Sequence, residues 1–437
     1  MNKEVLDQTM DIQILDSENK WDYIGIFDMF DDGAYLWFTS IEYNALFKLN
    51  KCTFHVNYMG SFPNEELYGV RLYTSINEYN GKLFFTPCTA HEIGVYDIEK
   101  KCFEKINIGI SRKDNDLSKI KNAKKFASSF FYKDSLILLP CCYDRVVVCD
   151  ISTGKVSFRN SLFEYFYAKY GNYTTSSDGQ FYLCWFAKRI SETNIVFNLH
   201  CNRNILIFYD LATGEFSEQV IGNEKRSFSL IEYDMEQVYL YDINDDMLIK
   251  WDIETNEYFE CHIADKLPEF QPCGLAYSFS NMVVLGDWLY LIPASTNVAV
   301  KINTATLDAV AVDALSDECS AQNKGIAYLN LCRIFDNKLY LWGNQSRELI
   351  IYGKDGNLQR IKIKVEEDME NILAENHLAD IMQNNLCWVS EEQIPLTRFI
   401  NVLEKIETEQ YIGNGETAVK NCGDSIYQFT LMNDIDS

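Results

Sequence analysis

The feature that most restricts how this chain can fold is a short apolar run that returns seven times. The copies read AYLWFTS (34–40), KLFFTPC (82–88), SLILLPC (135–141), QFYLCWF (180–186), QVYLYDI (237–243), WLYLIPA (288–294) and KLYLWGN (338–344). With the second residue of each as anchor (Tyr35, Leu83, Leu136, Phe181, Val238, Leu289 and Leu339), successive copies lie 45 to 57 residues apart. A period of this size marks a supersecondary unit that cannot bury its apolar face alone and must stack on its neighbours.

The surroundings of each run repeat as well. A turn signal such as DDG, YNG, YKD, SDG or LGD stands before it, and a further β-prone stretch (VRLYTSI, FASSFF, RSFSLIEY) stands before that. After the run, a third stretch ends on Asp or Asn. Pro87 to Asp97, Pro140 to Asp150, Asp242 to Asp252 and Pro293 to Asn303 are each ten residues apart. From Trp185 to Asp210 the distance is 25, which predicts an insertion of 15 residues between the second and third strands of the fourth unit. In DISTG and DLATG the Asp carboxylate is expected to accept backbone N–H groups of the following turn, while Gly154 and Gly214 supply positive φ.

Four strands per unit, joined by such hairpins, close into a radial array. The fold class is therefore all-β: a seven-bladed β-propeller of four-stranded blades, expected over residues 22–364. Residues 1–21 form an N-terminal arm in which Asp11–Leu15 (DIQIL) alternates and is a candidate closing strand. From 365 to 437 the pattern changes: 15 acidic residues face 3 basic ones, and Leu396, Phe399, Ile400, Leu403 and Ile406 share one helical face. A short acidic helical C-terminal segment is expected, either docked on the propeller or available to a partner.

GAYLWFTS with NALFKLN resembles the repeats of streptogramin-lyase-type propellers, and the Asp-x-x-Thr-Gly hairpins resemble YVTN and quinoprotein-like repeats. The resemblance covers the propeller and implies its fold. No catalytic motif travels with it: the SxDxGxxW box of sialidases and the GxSxG elbow are both missing from the sequence.

A net charge of -25 makes nucleic acid or an anionic membrane surface an unfavourable partner for the chain as a whole. The N-terminus has no apolar h-region, so a cytoplasmic location is expected, with the 14 Cys reduced. The five His residues (55, 91, 200, 262 and 377) are scattered and no CxxC pair occurs. No metal and no cofactor is expected.

Any anion site must then be a local exception. Twelve residues back from each anchor lies the entry to the innermost strand. In units 2 to 5 this position holds Arg71, Lys124, Lys169 and Arg226, and elsewhere Tyr23, Tyr277 and Ala327. SRKDNDLSKIKNAKKF adds Lys125 among other bases, and FAKRISETNIVFNLHCNRN adds Lys188, Arg189, His200 and Arg203. The expected ligand-binding set is Arg71, Lys124, Lys125, Lys169, Arg189 and Arg226, on the face formed by blades 2–5. Its partner would be an anionic small molecule, a glycan or an acidic protein segment. Tyr143, Trp185, Phe186 and Trp342 are candidates for a sugar platform, against which stands their use as inter-blade core. His91 and Glu92 form the acid–base pair to test first for catalysis. The leading reading is a non-enzymatic recognition module. The alternative is a propeller lyase or hydrolase acting on a small-molecule or carbohydrate substrate at the channel mouth.

Overall fold

The computed structural model describes residues 24–66, 69–109, 124–171, 181–200, 203–273, 277–319 and 327–363, with a few helical positions beyond. The described strands form seven separate four-stranded antiparallel sheets, each a blade. Blade 1 comprises β1–β4 (Met29–Asp31, Tyr35–Thr39, Leu46–Asn50 and Val56–Gly60). Blade 2 comprises β5–β8 (Tyr73–Tyr79, Lys82–Pro87, Glu92–Asp97 and Cys102–Asn107). Blade 3 comprises β9–β12 (Phe126–Tyr132, Ser135–Pro140, Val146–Asp150 and Val156–Arg159). Helix α1 (Ser161–Tyr170) follows it. Blade 4 comprises β13–β16 (Ala187–Arg189, Asn194–Asn198, Ile205–Asp210 and Phe216–Val220). Blade 5 comprises β17–β20 (Phe228–Asp234, Gln237–Asp242, Met247–Asp252 and Tyr258–His262). Blade 6 comprises β21–β24 (Phe279–Leu285, Trp288–Pro293, Val300–Asn303 and Ala309–Ala311). Blade 7 comprises β25–β28 (Leu329–Phe335, Lys338–Gly343, Glu348–Gly353 and Leu358–Lys362).

The second strand of most blades is buried on both faces, as in β10 and β22, because a blade is sandwiched between two others. That is why these runs are apolar throughout and stand out in the sequence. Their side chains build cores between blades. Leu136 and Leu138 of blade 3 pack with Phe84 and Val95 of blade 2, and Leu240 of blade 5 packs with Val196 and Leu206 of blade 4. The outer strands carry exposed residues, with β20 mostly and β8 half turned to solvent.

The hairpins from strand three to strand four behave as their composition dictates. Asp150 Oδ1 accepts from Thr153 N at 2.9 Å and from Thr153 Oγ1 at 2.8 Å. Asp210 Oδ1 accepts from Ala212 N at 2.8 Å and Thr213 N at 2.7 Å. Gly154 and Gly214 have φ of 67° and 80°, the region where an L side chain crowds its own backbone. These Asp residues cap turns.

Blade 4 departs from the expected register. Its second strand is NIVFN, not QFYLCWF, whose described residues 181–186 lie ahead of β13 and form no strand. The additional residues therefore sit between blades 3 and 4, where α1 is found, and not between strands two and three. QFYLCWF is apolar for another reason. Phe181, Leu183 and Cys184 are buried in one core cluster with Leu162, Phe163 and Phe166 of α1.

The compact unit that holds the propeller takes in residues 1–17 and 23–363; a second unit gathers 18–22 and 364–437. Of the second unit only Met369, Asn371, Ile372, Leu373, Glu375 and Ile400 are described, all helical. The expected closing strand at Asp11–Leu15 and the helical faces of the acidic segment otherwise lie outside the described residues.

Candidate functional site

Backbone hydrogen bonds thread successive blades together where the innermost strands begin. Lys125 N donates to Cys88 O of blade 2 at 2.9 Å, and Cys141 N donates to Lys125 O at 2.8 Å. Leu183 N then donates to Cys141 O at 2.7 Å, and His200 N to Leu183 O at 3.0 Å. This belt fixes Lys124 at the entry to blade 3 and His200 in the loop after the second strand of blade 4.

Side chains converge on the same point. Lys124 Nζ donates to Trp185 O at 3.1 Å and lies 5.4 Å from the Trp185 ring centroid and 5.7 Å from that of Phe186. Trp185 stands 5.2 Å from the His200 ring and 5.9 Å from the Tyr182 ring, tilted by 48° and 47°. Tyr182 meets His200 edge-on at 6.1 Å. Tyr182, Trp185, Phe186 and His200 are all half-buried. The indole Nε1 of Trp185 is fully buried and has no hydrogen-bond partner.

The electrostatics follow from burial beside a cation. Burial, reinforced by Lys124, holds the His200 imidazole down at about 4, so it is neutral near pH 7. A neutral imidazole offers one N–H donor and one acceptor. Burial pushes the Cys88 thiol up, while the charges of Lys124, Arg71 and Lys125 act against that shift. Burial likewise raises the thiols of Cys141 and Cys184, with Lys124 opposing in both. These are inert buried thiols. Among the described residues no group of three or more His, Cys, Asp or Glu is placed to hold a metal ion.

The six basic residues expected to line a binding face separate into two groups. Arg71 and Lys124 stand at the entries to the innermost strands of blades 2 and 3, where Thr89 N donates to Arg71 O at 3.2 Å and Lys125 N to Cys88 O at 2.9 Å. Lys125 is spent on structure, its Nζ donating to Thr89 O at 2.9 Å and Ala90 O at 2.7 Å. Lys169 is not at a strand entry. It lies in the last turn of α1 and pairs with Glu218 of β16 at 2.9 Å. The register of blade 4 explains the difference: twelve residues back from Ile195, the true strand-two anchor, lies Leu183. Arg189 is in the innermost strand of blade 4 and donates to Phe131 O at 2.5 Å and Glu192 O at 3.4 Å. Arg226 pairs with Glu260 of the outer strand β20 and stands over the Tyr258 ring at 5.5 Å. Beside that ring, Val220, Gly222, Asn223, Trp251, Asn256 and Tyr258 line a cleft of about 430 Å³ between blades 4 and 5.

The remaining candidates are also resolved by their neighbours. His91 pairs with Glu65, not Glu92: His91 Nδ1 is 3.1 Å from Glu65 Oε2, and His91 N donates to Glu65 Oε1 at 2.7 Å. Glu92 faces Lys105 at 3.3 Å instead. Tyr143 donates to the carbonyls of Ile108 and Gly109, both at 3.2 Å, and Trp342 is fully buried, so both serve the core. Of the aromatic set only Trp185 and Phe186 belong to the mouth. Tyr182 was invisible as a site residue because QFYLCWF reads as a strand of ordinary core.

No family model matches the chain, and no curated protein matches it in sequence. Solved structures match its fold. Virginiamycin B lyase from Staphylococcus aureus superposes with a TM-score of 0.48 at 11% identity, over 78% of this chain and 97% of the lyase. The extracellular domain of a hybrid two-component system from B. thetaiotaomicron superposes with a TM-score of 0.51 at 15% identity, over 79% of this chain and 42% of that one. At these identities the likeness is one of fold.

Proposed function

We propose that this propeller is a non-enzymatic recognition module that binds a small anionic ligand at the mouth between blades 3 and 4, with Lys124 as its cation. The observation that carries the reading is the state of that ammonium. Lys51, Lys82, Lys105, Lys169, Lys188 and Lys266 each have a carboxylate within ion-pair distance, while Lys48 and Lys301 rest on aromatic rings and Lys250 on a carbonyl. Lys124 has none among the described residues, in a chain of net charge -25. Its ammonium instead rests on one carbonyl and two aromatic rings. A cation kept apart from abundant internal carboxylates, beside low-dielectric aromatic surface, attracts an external anion strongly. A cytoplasmic location belongs to the same proposal and accords with the ten described cysteines, all free.

The test is calorimetric titration of the whole chain with a panel of carboxylates and inorganic phosphate, repeated with Lys124→Met. Binding that falls at least tenfold in the variant supports the reading. Equal binding by both proteins, or none by either, refutes it. Capture of an acidic peptide and no small anion would transfer the site to a protein partner. Turnover of any panel compound would favour the lyase or hydrolase alternative.

A further inference from the structure

We infer that the ligand of this mouth is a carboxylated sugar, a hexuronate unit, bound with its carboxylate on Lys124 and its ring against Trp185; the inference rests on the anion-binding reading above. Two features select this class. The first is the wall itself. Trp185, Tyr182 and His200 are neighbours at 5.2 to 6.1 Å, and the two rings that flank Trp185 are tilted away from it, not stacked on it. Half-buried aromatic surface of this kind suits the C–H-rich face of a pyranose, which loses little hydration on contact.

The second feature is the number and kind of polar groups around that wall. An ammonium has three N–H donors, and Lys124 uses one on Trp185 O. Two remain for a carboxylate. His200, kept neutral by burial and Lys124, both donates and accepts, which matches a hydroxyl, itself a donor and acceptor. A site for phosphate or sulfate would gain from a second charge at that position, and the neutral imidazole withholds it.

The arrangement separates a uronate from its parts. Acetate can use Lys124 but not the wall; a neutral hexose can use the wall but not Lys124. The experiment is titration of the full chain with galacturonate and glucuronate, with galactose and glucose, and with acetate and inorganic phosphate. Tryptophan fluorescence and saturation-transfer NMR provide the readouts. The expected result is that one uronate binds at least tenfold more tightly than both its neutral hexose and acetate. Lys124→Met should reduce it to the level of the hexose, and Trp185→Leu should reduce it to the level of acetate. Far-ultraviolet circular dichroism checks both folds, and Lys124→Arg, which keeps the charge, should retain most of the binding. If acetate or phosphate binds as tightly as the uronates and depends on Lys124, the sugar inference fails while the anion reading stands. If no anion shows Lys124-dependent binding, both fail.

Discussion

Arg333 of blade 7 holds Asp28, just ahead of blade 1, with Nη2 2.6 Å from Oδ2 across 305 residues of sequence. The same Nη2 donates to Ile76 O of blade 2 at 2.8 Å, and Ile76 N donates to Asp28 Oδ2 at 2.8 Å. One guanidinium thus binds the last blade to the first two. The described blades each have four strands of their own sequence, so this polar clasp and the packing beside it close the ring.

Replacing Arg333 with Met should therefore loosen closure. It leaves a buried carboxylate with backbone partners only, a loss of about 2 kcal/mol after allowance for the partial exposure of Arg333. Chemical denaturation gives the value. The double change Arg333→Met with Asp28→Leu should recover part of it, and a double variant no better than the single one would contradict the argument.

Stability should respond to pH in two opposite senses. Burial raises Asp28 to about 6 and Glu42 to about 7. Both bind their proton more tightly when folded, so their contribution is present at low pH and is lost as pH rises from about 4 through 7. Gln at position 42 should flatten that decline without lowering the acid plateau, as read from melting temperature against pH.

His200 works the other way. Its folded value of about 4 lies below the ordinary imidazole range, so its contribution is present above that range and is lost as pH falls towards 4. The imidazole NMR signal of His200 should stay in its neutral form down to about pH 5. Titration near 6.5 would mean that the ring is not buried beside Trp185 and Tyr182 as described.

Core and turn residues should separate in cost. Leu240, fully buried between blades 4 and 5, should lose about 3 kcal/mol as Ala. Asp150→Ala removes bonds to an exposed turn and should cost clearly less, measured in the same denaturation series.

Lys169→Ala and Arg189→Ala should leave ligand affinity within twofold of the parent chain. Lys169 is committed to Glu218 and Arg189 to two carbonyls. A tenfold loss in either would return them to the binding set.

The sequence by itself determined the propeller class, the four-strand unit and the Asp-capped hairpins, and its seven repeats match the seven blades although one anchor run is not a strand. Each rests on local chemistry: a recurring apolar run, turn residues and a ruler between strand ends. It even held the correction for blade 4. Asp97 pairs with Lys82, Asp150 with Ser135 and Asp252 with Gln237, each fifteen residues back, and the same distance from Asp210 reaches Ile195, beside its true partner Asn194. What only the tertiary structure decided was which bases remain available. Lys124, Lys169 and Arg226 look alike in a sequence, since each is a cation near an apolar run. Whether a carboxylate stands opposite depends on residues some 34 to 61 positions away, Glu218 for Lys169, Glu260 for Arg226, and only the Trp185 carbonyl for Lys124. Long-range pairing of charge leaves no period to read, because it is set by the packing of one blade on the next.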